Sequence, residues 1–225
     1  MSTRLFLVRH AESTWNAERR VQGQADPPLS TLGKQQASAL AGALRTKPLD
    51  AIYCSSLARA HETAAHISTP HGLSPCVEDA LRELCVGEWQ GQTTAALHTD
   101  TCLYRTWCTD PLMVRPPSGE TLCEALARVG PAVESIVARH AGATVVLVIH
   151  SLVGRVLLCH LLRTGLELVP RLKLKNASIS VVRIDDGRAV LEQLGDISHL
   201  VALRRPPIEE RTCYVGTLSG VEAIP

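Results

Sequence analysis

Arg9 and His10 stand side by side at the end of an apolar run in LFLVRHAESTWN, and comparable groups recur elsewhere: Arg59 in CSSLARAHETA, Glu83 in LRELCVGEWQG and His150 in VVLVIHSLVGR. A single Arg-His pair where a strand surfaces is ordinary. Here, however, Arg9 and His10, Arg59 and His150 each follow a different strand-like stretch. In a parallel α/β sheet the carboxyl ends of the strands open onto one crevice. Two arginines and two imidazoles would meet there with no matching cluster of acids, and the natural guest for that set is a dianionic phosphate. Glu83 adds one carboxyl within reach of the same place.

The elements that must position these groups are readable from periodicity. Leu5–Val8, Ala51–Tyr53, Val145–Ile149 and Ile179–Ile184 are short apolar runs bounded by polar or turn residues, and Ala189–Leu194 continues the last as a hairpin after DDGR. Between the first two strands, Leu32, Gln36, Leu40 and Leu44 recur at helical spacing behind Ser30, a suitable N-cap. Helices are also expected over Leu57–Ile67, Glu120–His140 and Leu152–Leu162, with Ser151 as N-cap of the last. This alternation predicts an α/β fold, a three-layer αβα sandwich around a mostly parallel central sheet. Residues 90–118 are the least regular stretch and read as an insertion beside the crevice, capping the substrate. Residues 1–203 then form one domain, and 204–225, rich in Pro, Gly and charge, a loosely held C-terminal tail.

Composition narrows the partners. The 225 residues are 45% hydrophobic and 20% charged, ordinary for a globular domain, and a net charge of +1 gives no general attraction to nucleic acid or to an anionic membrane. Four strongly apolar residues near the amino terminus are too few for a signal segment or a membrane span, so a cytoplasmic location is expected. Eight cysteines without C-x-x-C spacing favour reduced, buried thiols over a disulfide framework or a zinc site.

Taken in order, RHAESTWN, QGQADPPLSTLGKQQA, CSSLARAHETA, LRELCVGEWQG, PPSGET, IHSLVGR and LGDISHL resemble the successive signatures of the histidine phosphatase superfamily, also called phosphoglycerate mutase-like, over about residues 4 to 200. The resemblance implies a phosphomonoester hydrolase in which His10 is the nucleophile and becomes a phosphohistidine. Arg9, Arg59 and His150 would bind the phosphoryl oxygens, Asn16 would add a hydrogen bond, and Glu83 would protonate the leaving group and then activate water. Gln22 and Gly23, the QG element, and Ser151 would contact the substrate, a small phosphorylated metabolite. No metal and no other cofactor is implied; many members are dimers, which leaves a homodimer open. Two departures stand out: Arg9-His10-Ala11 replaces Arg-His-Gly, and His150-Ser151-Leu152 replaces His-Gly-Gly, where Leu152 adds volume that could narrow the site.

Other readings have less support. His61 and His66 in HETAAH are five residues apart and diverge around a helix, unlike a zinc protease pair. His150-Ser151 lacks the G-x-S-x-G elbow of a serine hydrolase. A bisphosphoglycerate-dependent mutase would carry HGNS where this chain has HSLV, and NERxYG where it has RELCVG; it would also carry a longer insert with an arginine pair. A binding module without turnover would have lost one of Arg9, His10, Arg59, Glu83 or His150, and all five are present.

Overall fold

The computed structural model describes residues 2–203; the expected tail at 204–225, with Cys213, lies outside the described residues. In chain order the main elements are β1 (Ser2–Arg9), α1 (Thr14–Ala17), α2 (Thr31–Leu44), β2 (Ala51–Cys54), α3 (Ala58–Ser68) and β3 (Cys76–Val77). They continue with α4 (Thr94–Asp100), α5 (Cys102–Thr109), α6 (Leu122–Arg139), β4 (Thr144–Ile149), α7 (Ser151–Leu161), β5 (Ile179–Asp185) and β6 (Arg188–Asp196). The strands form one sheet in the order β3-β2-β4-β1-β5-β6. The first four in that order run parallel, and β5 and β6 complete it antiparallel as the expected hairpin.

Both faces of the central strands β1, β2, β4 and β5 are covered, which is why these read as apolar runs, whereas the edge strands β3 and β6 are largely exposed. Leu5, Leu7, Val145, Leu147 and Ile149 point into one core layer with Val129, Val133 and Ile136 of α6 and Val153, Val156 and Leu157 of α7. Phe6, Val8, Ile52, Val146 and Val148 point into the other, against Ala37, Leu40 and Leu44 of α2 and Ala60, Ala64 and Ile67 of α3. The sandwich is thus two hydrophobic layers sharing one sheet. Among the described residues no helix is long and apolar enough to cross a membrane.

Several local expectations need revision. Ser30 does cap α2, its Oγ accepting the Gly33 N–H at 2.9 Å. Ser151, by contrast, is the first residue of α7 rather than its N-cap: His150 takes the extended cap conformation and makes no side-chain cap bond. The reason is that β4 runs directly into α7, leaving the cap position to the last residue before the turn. Residues 90–118, read from sequence as irregular, contain α4 and α5, both capped by threonines, Thr93 and Thr101. The cysteines are free among the described residues, but Cys76, Cys102, Cys108 and Cys123 are exposed and only Cys54 and Cys159 are buried. Apolar neighbours in sequence do not bury a thiol on the outer side of a helix or on an edge strand.

The start of α2 abuts the segment after β1 that carries His10. The Glu12 carbonyl accepts the Ser30 N–H at 2.9 Å, and the Glu12 carboxylate accepts from Ser30 Oγ at 2.7 Å. A Cβ at Gly33 would lie 1.9 Å from the Glu12 carbonyl oxygen, whereas one at Gly42 in the same helix would meet nothing within 4 Å. Gly33→Ala should therefore destabilise the fold by about 1–3 kcal/mol, while Gly42→Ala should stabilise it by about 0.4–1 kcal/mol. Urea unfolding midpoints measure both, and equal shifts for the two variants would contradict the close approach.

Candidate active site

His10 follows directly on β1 at the carboxyl ends of the parallel strands. Its N–H donates to the Ile149 carbonyl at 2.9 Å, and its own carbonyl accepts from Ala177 N at 3.1 Å and from Asn176 Nδ2 at 3.2 Å. The ring is 2% exposed and its Nδ1 lies 2.7 Å from the Ala11 carbonyl oxygen. A carbonyl only accepts, so Nδ1 carries the hydrogen and the lone pair resides on Nε2. Ala11 is itself held by Thr63 Oγ1 of α3, which accepts its N–H at 3.1 Å. The ring centroid of His150 is 5.1 Å from that of His10.

Arg59, in the first turn of α3, is 1% exposed. Its Nη1 and Nη2 donate to the carbonyls of Ala25 and Gly23 at 2.7 and 2.8 Å, so the guanidinium also fixes the loop around it. Gly23 adopts a left-handed φ of 53°, and a Cβ there would press on Gln90 and Val86. Arg9 Nη1 donates to the Leu174 carbonyl at 2.7 Å. The Nε atoms of Arg9 and Arg59 and both ring nitrogens of His150 are buried without a hydrogen-bond partner. Such orphaned groups are costly unless a ligand oxygen meets them.

Burial governs the protonation of these side chains. Desolvation, reinforced by the positive charge of Arg59 and Arg9, pushes the His10 imidazole well below its ordinary value, and His150 follows for the same causes. Desolvation also lowers Arg9 and Arg59, each to about 10, partly offset by Glu83. Both guanidinium groups are therefore charged at neutral pH while both imidazoles are neutral.

Glu83 is 8% exposed and lies against the start of α7. Its Oε1 accepts the N–H groups of Leu84 and Val153 at 3.0 and 3.1 Å, and Oε2 accepts that of Leu152 at 3.2 Å. Oε2, with a single partner, retains the greater capacity for a further contact. The cavity enclosed by these groups has a volume of about 320 Å³, and Arg9, His10, Asn16, Gln22, Gly23, Arg59, Glu83 and Ser151 all line it. Asn16 Oδ1 accepts from Ser13 and from Asn176 Nδ2, and Gln22 Oε1 accepts from Ser13 Oγ at 2.9 Å. His150 completes the group as the neighbour of His10 rather than as part of the wall.

Sequence reasoning missed several of the wall residues. Trp89, Tyr104 and Trp107 form one side, packed edge to face with centroids 5.2 and 5.8 Å from Trp89, and Thr94 joins them. Arg155 and Arg20 add two cations. Arg155 had a usable signal, since a residue four beyond Ser151 on a helix shares its face. Tyr104 and Trp107 had a similar signal, three residues apart on one helix, whereas Asn176 and the contact with Trp89 had none, because both depend on contacts distant in sequence. Leu152 does stand in the cavity wall, where its extra volume was expected to act.

The remaining histidines serve elsewhere. His140 meets the Tyr53 hydroxyl at 3.0 Å, His160 pairs with Glu134 at 2.8 Å, and His199 contacts the Ala177 carbonyl at 3.0 Å. Among the described residues no three His, Cys, Asp or Glu side chains come together as a metal-binding group. A larger groove of about 600 Å³ between α6, α7 and the hairpin is mainly apolar, and its Glu134–His160 pair lies on the flank, away from the strand ends. The chemistry-bearing groups therefore converge in the smaller cavity.

Comparison with known proteins places this geometry. The family model described as histidine phosphatase superfamily (branch 1) matches residues 5–197. Phosphoserine phosphatase 1 of Hydrogenobacter thermophilus is 37% identical over 198 residues, covering 88% of this chain and 94% of the relative. A Yersinia pestis protein named "Probable phosphoglycerate mutase GpmB" is 33% identical over 202 residues, covering 87% and 94%. The solved structure of a mycobacterial glucosyl-3-phosphoglycerate phosphatase with VO3 superposes with a TM-score of 0.80 at 34% identity, covering 86% of this chain and 99% of the other. The chain whose Arg9, His10, Arg59 and Glu83 line one cavity, with His150 packed behind His10, belongs to branch 1 of the histidine phosphatase superfamily.

Proposed function

We propose that this protein is a metal-independent hydrolase of small phosphomonoesters that works through a phosphohistidine on His10. One observation carries the reading: a neutral imidazole, oriented by Ala11 so that Nε2 holds its lone pair, shares a cavity with two buried guanidinium groups and abuts a second, unpartnered imidazole. Nε2 attacks phosphorus as the ester P–O bond breaks, and Glu83 gives a proton to the departing oxygen. The resulting Glu83 carboxylate takes a proton from water, whose oxygen displaces the imidazole and releases phosphate. Arg9, Arg59 and His150 hold the charge that spreads over the phosphoryl oxygens in each transition state, and Asn16 and Gln22 add neutral donors. Gly23, Ser151 and the aromatic wall contact the carbon skeleton, with residues 90–118 acting as a cap over the substrate.

Two of the relatives bear phosphatase names and one a mutase name. Water and a second substrate hydroxyl are thus the two acceptors to separate. A chromogenic phosphomonoester supplied with excess chelator should be hydrolysed, and His10→Ala should abolish turnover and the acid-labile phosphoenzyme. Arg59→Ala should lower kcat by about 100- to 1000-fold. Failure to hydrolyse any monoester, or isomerisation of 3-phosphoglycerate that needs a bisphosphorylated primer, would overturn the hydrolase reading.

The protonation state gives a further check. The His10 imidazole is held below the ordinary histidine value of about 6.5, so protonation, which would remove its nucleophilic lone pair, sets in only at more acidic pH. Nitrogen-15 chemical shifts of the free enzyme should show Nε2 of His10 unprotonated throughout a titration from about pH 7.5 to 6.5. Half-protonation at or above the ordinary value would remove the basis for a neutral nucleophile.

A further inference from the structure

Glu83 stands in a stretch, residues 82–86, that belongs to no helix or strand, so its peptide groups need partners from elsewhere. Two side chains at the start of α6 supply them. Arg128 Nη1 donates to the Ala80 and Arg82 carbonyls at 2.7 and 3.0 Å, and Glu120 Oε2 accepts the Cys85 N–H at 2.8 Å. The Glu120 N–H in turn donates to the Cys85 carbonyl at 2.8 Å. The two side chains also hold each other as a fork, Arg128 Nε donating to Oε1 and Nη2 to Oε2, both at 3.0 Å. Each is only 24% exposed, so the pair is screened less than a surface pair. The capping box of Thr121 and Glu124 fixes the helix end from which both project.

We propose that Glu120 and Arg128 are positioning residues for the general acid, their ion pair clamping the backbone on both sides of Glu83 so that its carboxyl stays in reach of the ester oxygen. This rests on the hydrolase reading, which gives Glu83 that task. The Arg82 carbonyl and the Cys85 N–H are bonded to one rigid fork, and neither can shift without straining it. The carboxylate is held separately, by the N–H groups of Leu152 and Val153 on α7. Helices α6 and α7 share a core layer through Val129, Val133, Val153 and Val156. Backbone and carboxylate of one residue are thus referred to two helices packed against each other. The backbone approach is close on the other side too: a Cβ at Gly119 would lie 2.6 Å from the Cys85 carbonyl oxygen. Neither Glu120 nor Arg128 lines the catalytic cavity, so their action passes through Glu83. Loosening the fork leaves His10, Arg9 and Arg59 on their own partners, the carbonyls of Ala11, Leu174, Gly23 and Ala25. The acid alone is displaced, and a displacement of about 1 Å costs roughly 100-fold in rate.

The test compares two esters whose leaving groups differ in their need for a proton. β-Glycerophosphate releases an alkoxide, which must be protonated as it departs, whereas dinitrophenyl phosphate releases a stable anion that needs no acid. Compared as kcat/KM, the two report transfer to His10 and not the later attack by water. Glu83→Gln should lose about 100-fold or more on β-glycerophosphate and stay within about threefold on the dinitrophenyl ester. Arg128→Met and Glu120→Ala should show the same selective loss, by about 10- to 100-fold. Glu120→Gln, which keeps an acceptor for the Cys85 N–H, should recover part of what Glu120→Ala loses. If the Glu120 and Arg128 variants slow both esters by one factor while Glu83→Gln remains selective, the pair only supports the fold; that overturns the positioning role and leaves the hydrolase standing. If Glu83→Gln itself slows both alike, or the native enzyme cleaves only the dinitrophenyl ester, Glu83 is not the acid and the positioning role falls with it. Inactivity of the native enzyme on every monoester overturns the hydrolase reading as well. Should Arg128→Met and Glu120→Ala fail to fold, Glu120→Gln decides: a selective loss supports the clamp, and an unchanged ratio of the two esters overturns it.

Discussion

The contact on which the candidate site depends is the hydrogen bond from His10 Nδ1 to the Ala11 carbonyl at 2.7 Å. It selects one tautomer, fixes the plane of the ring and leaves Nε2 turned away from its own backbone. The contact can persist only because the peptide around it is held from several directions. The Ile149 carbonyl takes the His10 N–H, Ala177 and Asn176 take its carbonyl, and Thr63 takes the Ala11 N–H. Three segments distant in sequence thus converge on two residues, and the sheet is what brings them together. A single imidazole orientation is in this sense a property of the whole fold.

Electrostatics completes what geometry begins. Burying two guanidinium groups with no carboxylate in ion-pair contact is unfavourable in isolation, and here backbone carbonyls of Gly23, Ala25 and Leu174 satisfy part of their hydrogen-bonding capacity while Glu83 offsets only part of their charge. The same uncancelled charge, together with desolvation, keeps His10 and His150 neutral. An arrangement that welcomes a phosphoryl group and one that preserves a free lone pair are therefore the same arrangement. Arg59 has a second effect, since the loop it binds is the loop that brings Gln22 and Gly23 to the cavity.

The sequence was readable wherever the information was local. The apolar runs of β1, β2, β4 and β5, the four-residue spacing of α2 and its Ser30 cap all follow from periodicity and short-range hydrogen bonding. Arg9, His10, Arg59 and His150 could be expected in one place because parallel strands expose their carboxyl ends on one side, and Glu83 because its block matched a known order. What escaped was set by packing. The α4 and α5 helices are short and open on threonine caps within a polar stretch, so hydrophobic spacing hardly marks them. The Trp89, Tyr104 and Trp107 cluster joins two residues that share a face of α5 to a third from before α4, a contact that no local spacing announces. Ser151 was misplaced by one position because a strand that leads straight into a helix gives no separate cap residue to recognise.

The Glu83 carboxylate is gripped by peptide N–H groups of α7 rather than by side chains. Main-chain donors are present whatever residue occupies the position, proline excepted. Leu152 can therefore be exchanged for something larger, smaller or more polar, reshaping the chamber's lining, without withdrawing the amide that steadies the acid. Evolutionary drift in substrate preference and preservation of the reaction become separable, since they are written in different parts of the same residue.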